Sequence, residues 1–235
     1  MKVLFVVCAR KGSKRLKNKH WREVSPYQSM WHRAWEQVET FWFGCKKHHV
    51  VFSTDDRKVL VNLLEAYKIR RPPHLASDET PIHEVLQHAY RESKFEADAV
   101  AFIPANVPTI TSKLIARCVR HLERNQKFDS VITVRTMRDH PEWAWRSPES
   151  FNGLLIPAFD RPTEYRMQGL PTHYVATGTV NIVRTPVLMA CKSAAAFDYL
   201  GRNIGFVMDE DAIEVHDKRD LELARAWLAY REGSK

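Results

Sequence analysis

Short uninterrupted apolar runs alternate in this chain with segments whose apolar residues recur at helical spacing, and no other feature restricts the fold as strongly. Val3-Leu4-Phe5-Val6-Val7, the run 49–54 and the run 97–103 are far too short to span a membrane, and their continuity reads as strands buried on both faces. Between them, Met30, Trp31, Ala34, Trp35, Val38, Phe41 and Trp42 share one helical face over 26–43, and Val85, Leu86 and Ala89 share one over 82–94. Thr111 or Ser112 opens a further helix carrying Leu114, Ile115, Cys118, Val119 and Leu122. Asp55-Asp56 can cap a helix with apolar positions Val59, Leu60, Leu63 and Leu64, or serve a ligand; Pro72-Pro73 stops any helix, and 74–81 is a loop. Strands are expected again at 129–134, 174–183 and 204–208, and a closing helix at 217–230 with Leu221, Ala224, Trp227 and Leu228 facing in. This order predicts βαβ units, a mainly parallel sheet and ligands at the carboxyl ends of its strands. From 138 to 173 the periodicity is lost, which marks an inserted substrate lid or oligomerisation arm in a single domain spanning 1–235.

The first of those carboxyl ends carries the strongest chemical signal. Residues 8–19 hold six cationic side chains, Arg10, Lys11, Lys14, Arg15, Lys17 and Lys19, around the single Gly12. Such a loop predicts a polyanionic guest, polyphosphate above all, with nucleic acid as the competing reading. With one glycine it is neither a G-x-x-x-x-G-K-[ST] phosphate loop nor a G-x-G-x-x-G fingerprint. The net charge of +8 suits nucleic acid and an enzyme of anionic substrates equally. Cys8, Cys45, Cys118 and Cys191 are far apart and mostly within apolar runs, which predicts reduced thiols in a soluble, cytoplasmic protein rather than a disulfide framework or a zinc site. The seven tryptophans are expected to pack rather than to stack on bases.

Taken together, the motifs resemble those of the acylneuraminate cytidylyltransferase family, the synthetases of CMP-activated sialic, legionaminic and pseudaminic acids. Ala9-Arg10-Lys11-Gly12-Ser13-Lys14-Arg15-Leu16-Lys17-Asn18-Lys19 is similar to A-R-x-G-S-K-R-I-x-x-K, and Val50-Val51-Phe52-Ser53-Thr54-Asp55-Asp56 to V-V-V-S-T-D-D. Arg71-Pro72-Pro73-His74-Leu75-Ala76-Ser77-Asp78-Glu79-Thr80-Pro81 is similar to R-P-x-x-L-A-x-D-x-T-P, and His140-Pro141-Glu142-Trp143 to H-P-x-W. Arg166-Met167-Gln168-Gly169-Leu170-Pro171 with Tyr174 and Gly178 resembles R-x-Q-x-L-P-x-x-Y-x-x-N-G, and Asp220-Leu221-Glu222-Leu223-Ala224 the opening of the last helix.

The resemblance implies a Rossmann-like, glycosyltransferase-A-like α/β nucleotidyltransferase sandwich of three layers, with a mainly parallel mixed sheet. It also implies transfer of CMP from CTP to an acidic acceptor, with Mg²⁺ as cofactor and pyrophosphate released. It places Ala9, Arg10, Lys11, Gly12, Ser13, Lys14, Lys19, Arg71 and Thr80 around the nucleotide, with Arg10, Lys14 and Lys19 as the catalytic cations, and Asn106, Arg166, Gln168 and Thr177 around the acceptor. A homodimer joined through the 138–173 arm is implied too. Attack on the α-phosphorus drives charge onto pyrophosphate, so fixed cations suit direct displacement without a phosphoenzyme.

The departures fall on the acceptor and metal positions. Where the family has Q-P-T-S-P, this chain has Pro104-Ala105-Asn106-Val107-Pro108, and the Asn of N-G is Thr177. The metal-binding D-x-D aligns with Glu214-Val215-His216, and imidazole is a poor ligand for so hard an ion as Mg²⁺. Asp209, Asp211 or Asp217 could contribute, triphosphate oxygens and water could supply most of the shell, or His216 could be a general base. A small phosphonate acceptor is the alternative to a sugar acid, and a non-catalytic nucleotide or nucleic-acid binder the reading from another class.

Overall fold

The computed structural model describes residues 1–43, 47–148, 153–160 and 166–233. Cys45 and the parts of the arm at 149–152 and 161–165 lie outside the described residues. The main strands form where the apolar runs demand: β1 (Val3–Cys8), β4 (His49–Thr54), β6 (Ala99–Pro104), β7 (Ser130–Thr136), β10 (Tyr174–Arg184) and β11 (Ile204–Met208). Around them lie the short strands β2 (Glu23–Ser25), β3 (Gln28–Ser29), β5 (Lys68–Arg70), β8 (Trp145–Arg146) and β9 (Ile156–Pro157). The helices are α1 (Met30–Trp42), α2 (Arg57–Leu60), α3 (Ile82–Ser93), α4 (Ser112–Arg124), α5 (Thr185–Ala190) and α6 (Lys218–Gly233).

Seven strands make one sheet in the order β11-β7-β10-β6-β1-β4-β5. The pairs β1 with β4, β1 with β6, β4 with β5 and β7 with β11 are parallel, and only β10 runs against its two neighbours. The two-residue period of a strand then sorts the core. Val3, Phe5 and Val7 face the layer of α1 and α4, with Trp31, Trp35, Ile115 and Leu122. Leu4 and Val6 face the opposite layer, with Leu86, Ala89 and Leu188 of α3 and α5. A third cluster joins Val24 and Met30 to Val215, Leu221, Ala224 and Leu228 and so docks α6 beside the cationic loop. No helix among the described residues is long and apolar enough to cross a membrane.

Three differences from the sequence expectation have physical causes. The helix after Asp56 stops at Leu60, because Asn62 turns its side-chain amide back onto the Lys58 carbonyl at 2.7 Å and competes with the helical ladder; Leu64 is left exposed. Residues 26–29 belong to a small antiparallel ribbon rather than to α1, since Tyr27 takes a left-handed turn at φ 61°. The arm is not structureless: β8 and β9 pair antiparallel, and two single-turn 3-10 helices, Pro141–Trp143 and Met167–Gly169, flank them. The strand β5 and the helix α5, which has Pro186 in its first turn, were not anticipated.

Asp56 illustrates how a cap becomes a structural centre. It caps α2 by accepting from the Lys58 N–H at 2.9 Å, and it also meets His20 Nε2 at 2.9 Å and accepts from Trp21 Nε1 at 2.8 Å. Burial works to raise its pKa, but the bonds from Trp21, His20 and Lys58 outweigh it and hold the carboxyl below the usual carboxylate range. A folded-state value below the unfolded one adds stability above the ordinary value of about 4, and that stability is lost as pH falls through the folded value. Asp56→Asn is therefore expected to cost about 1–3 kcal/mol at pH 7, with the gap to wild type narrowing below about pH 4; urea unfolding across pH measures both.

Candidate active site

The carboxyl ends of β1, β4 and β6 converge, and the cationic loop springs from their middle. Its first residue is pinned on both sides: the Ala9 N–H donates to Ser53 O at 3.3 Å, while Ala105 N–H donates to Cys8 O at 3.0 Å. Beyond Ala9 the loop is tied to the next strand end by Lys11 N–H, which donates to Asp55 Oδ1 at 2.8 Å. Gly12 is exposed, and a Cβ there would meet nothing closer than Arg10 Nη1 at 3.7 Å, so the chain itself does not require glycine at this point.

One cavity opens at the loop, and a second adjoins it through the contact of Asn106 with Glu214. The first, of about 220 Å³, gathers Ala9, Arg10, Ser13, Lys19 and Arg71 from the nucleotide set and Asn106 from the acceptor set. Lys19 is half-desolvated there; burial, partly offset by Glu214 and reinforced by Arg15 and Arg10, draws its ammonium below the ordinary lysine range. A half-desolvated cation beside two guanidiniums is a place where an anion is favoured. The buried Arg71 is anchored by donating from Nε to Ser53 Oγ at 3.2 Å and from Nη2 to Ser53 O at 2.9 Å. Burial pushes the neighbouring Cys8 thiol up to about 11, against the pull of Arg71, so it stays protonated at neutral pH and offers no thiolate nucleophile.

The remaining residues of the nucleotide set line neither cavity. Lys11, Gly12 and Lys14 are exposed, and Lys14 Nζ pairs with Asp78 Oδ2 at 2.9 Å. Asp78 also pairs with Arg10, and the hydrogen bond from Lys14, helped by the charge of Arg10, holds its carboxyl below the usual range. A carboxylate thus occupies two of the three expected catalytic cations. Thr80 lines neither cavity; its hydroxyl donates to His74 O at 3.1 Å and pairs with Ser77 Oγ at 2.9 Å within the 74–81 loop.

The second cavity, of about 480 Å³, lies on the far side of Asn106 and is lined by Thr177, Glu214 and His216 together with Arg135, Arg138 and Trp227. Thr177 points its hydroxyl inward, 2.8 Å from Thr133 Oγ1 and 3.3 Å from Asp209 Oδ2, while Thr179 donates to the same carboxylate oxygen at 2.6 Å. Burial raises Asp209 above the usual carboxylate range despite the two threonine hydroxyls. Arg166 and Gln168 are exposed on their single-turn helix and line neither cavity. Arg135 and Arg138 are not singled out by the sequence; their signal is charge alone, which many surface residues share.

Glu214 and His216 do come together, at 3.3 Å between Glu214 Oε2 and His216 Nε2. They do not fit a protein-held Mg²⁺. His216 Nδ1 faces the Arg15 guanidinium at 3.1 Å, Glu214 Oε1 accepts from Asn106 Nδ2 at 3.1 Å, and among the described residues no group of three or more His, Cys, Asp or Glu could hold a metal ion.

A mainly parallel mixed sheet with a cation-rich loop at its centre is an α/β nucleotidyltransferase-like fold, and solved structures agree. A CMP:2-keto-3-deoxy-manno-octonic acid synthetase complexed with CTP matches with a TM-score of 0.66 at 18% identity, over 98% of this chain and 100% of that one. A 4-diphosphocytidyl-2C-methyl-D-erythritol synthase from Anaerococcus prevotii DSM 20548 matches with a TM-score of 0.64 at 13% identity, over 97% and 96%. No family model matches the chain. In sequence, it is 26% identical over 230 residues to the post-translational flagellin modification protein B of Campylobacter coli, covering 94% of this chain and 92% of that protein. It is 24% identical over 229 residues to the N-acylneuraminate cytidylyltransferase of Escherichia coli O18:K1:H7 (strain RS218 / NMEC), covering 95% of this chain but only 51% of that relative. Its sequence is thus similar to that of an acylneuraminate cytidylyltransferase, the resemblance its motifs imply.

Proposed function

We propose that this protein transfers CMP from CTP to an acidic acceptor of the nonulosonic, sialic-acid type and releases pyrophosphate. The observation that carries the reading is the pairing of two cavities across Asn106: a smaller one walled by Arg10, Ser13 and Lys19, and a larger one with Arg135 and Arg138 in its wall. The first offers cations to a triphosphate; the second offers Arg135 and Arg138 to the carboxylate of an acceptor whose hydroxyls can donate to Glu210, Asp211, Glu214 and Asp220 in the same wall. In this reading an acceptor hydroxyl oxygen forms a bond to the α-phosphorus as the bond to the bridging oxygen breaks. Arg10, Lys14 and Lys19 take up the charge that gathers on pyrophosphate. Asp78 must then yield Arg10 and Lys14 to phosphate, an exchange of one anion for a more highly charged one. Mg²⁺ belongs to this proposal only as the counter-ion that CTP brings with it.

Two arginines in the wall of the larger cavity also favour a second reading, a small phosphonate as acceptor. Pyrophosphate release from CTP, measured against a panel of nonulosonic acids and phosphonates with the CMP product weighed by mass spectrometry, separates the two. Sugar-acid-dependent release is expected; phosphonate-dependent release alone would install the second reading, and neither would leave a non-catalytic binder. The proposal includes a cytoplasmic homodimer, its association supported by exposed Trp145, Leu155 and Phe159 on the arm. Light scattering should give twice the 27.4 kDa chain mass.

A further inference from the structure

The seam between the two cavities carries a continuous chain of side chains that begins on the cationic loop. Arg15 Nη2 lies 3.1 Å from His216 Nδ1. A guanidinium has only donors, so Nδ1 must be the accepting nitrogen and the ring proton sits on Nε2. Nε2 in turn faces Glu214 Oε2 at 3.3 Å, and the other oxygen, Oε1, accepts from Asn106 Nδ2 at 3.1 Å. The ends of the chain are fixed by backbone. Val215 N–H donates to Asn106 O at 2.8 Å, Asn106 Nδ2 reaches Val215 O at 3.4 Å, and His216 N–H donates to Asp220 Oδ2 at 2.8 Å, with Val215 itself fully buried under α6. The carboxylate and imidazole are therefore spent on protein partners, and a cation already stands at the one face of His216 turned to the loop.

We propose that Glu214-Val215-His216 is a latch for the cationic loop, holding Arg15 at the seam through His216 Nδ1, and that this segment anchors no divalent ion of its own. His216 is a positioning residue, acting on Arg15 and not on the reacting atoms. Glu214, whose carboxylate faces Nε2–H at 3.3 Å, orients the imidazole, and Asn106 fixes Glu214. Arg15 is thus held within electrostatic reach of Lys19 before any nucleotide arrives, and other N–H groups of the same guanidinium can donate to a phosphate oxygen while His216 keeps its hold. What the latch serves rests on the nucleotidyl-transfer reading, but the latch itself is tested without turnover.

The first measurement is Mn²⁺ binding to the nucleotide-free protein by electron paramagnetic resonance. The wild-type signal is expected to remain that of free Mn²⁺; stoichiometric binding that His216→Asn removes would overturn the proposal. The second is CTP binding by calorimetry without acceptor. His216→Ala removes the acceptor for Arg15 and should weaken CTP about fivefold to tenfold. His216→Asn, whose side-chain oxygen can occupy the place of Nδ1, should stay within about twofold of wild type. Equal affinity of His216→Ala and wild type, or an asparagine variant as weak as the alanine one, would also overturn it. Failure of the wild type to bind CTP at all would strike the nucleotidyl-transfer reading, while the Mn²⁺ result would still decide whether Glu214-Val215-His216 anchors a divalent ion.

Discussion

Lys19→Ala is expected to lower pyrophosphate release by at least about two to three orders of magnitude with every acceptor, the size of effect seen when one preorganised charge-stabilising donor is removed. Lys19 is, with Arg10, one of the loop's two partly buried cations, and its ammonium is already drawn below its ordinary range by burial. Water cannot take its place cheaply, because the site gives that charge a low-dielectric setting in which each anionic contact is worth more. The measurement is steady-state release at saturating CTP, with thermal unfolding to show that the variant is folded. Turnover within tenfold of wild type would mean that the triphosphate lies elsewhere. Lys14→Ala should be milder, since Lys14 is exposed and already shared with Asp78.

Phe52→Ala is expected to cost about 3–5 kcal/mol of stability and to lower the thermal midpoint by roughly 10 °C. Phe52 is fully buried in β4 and packs edge-on against Trp31 at 5.7 Å and tilted against Trp35 at 6.2 Å. Those rings come from α1 and cannot all close on the void, so the loss combines transfer and cavity costs. The next residue along the strand, Ser53, holds both Arg71 and the start of the cationic loop. CTP binding should therefore weaken along with stability. A loss below about 1 kcal/mol in urea unfolding would show that the helix re-packs freely, contrary to this core.

The legible part of the molecule was the part built by local rules. Thr111 caps α4 by accepting from the Leu114 N–H at 3.2 Å, and Asp56 caps α2, because a cap is a contact within three residues. The buried strands read correctly because a run such as Val3-Leu4-Phe5-Val6-Val7 has no polar face to offer solvent. The short elements escaped: β5 is three residues at the sheet edge with one buried side chain, too little for a periodicity to register. The length of α2 was misread because Leu63 and Leu64 kept helical spacing, while Asn62 had a competing bond to make. In the site, Arg10, Ser13, Lys19 and Arg71 were gathered as the motifs implied, whereas Arg166 and Gln168 were not brought to either cavity.

By itself the sequence determined the alternation of strands and helices, the layers they must form and the cationic loop at the end of β1, because burial period and charge density are properties of neighbouring residues. Only the tertiary structure decided who answers that loop. Asp78 meets Arg10 across 68 positions and His216 meets Arg15 across 201, encounters set by the order of β6, β1 and β4 in the sheet and by the docking of α6 against β2. Side chains so distant in the chain have no shared pattern in sequence; their pairing exists once the backbone has brought two unlike charges, or a donor and a lone pair, within reach.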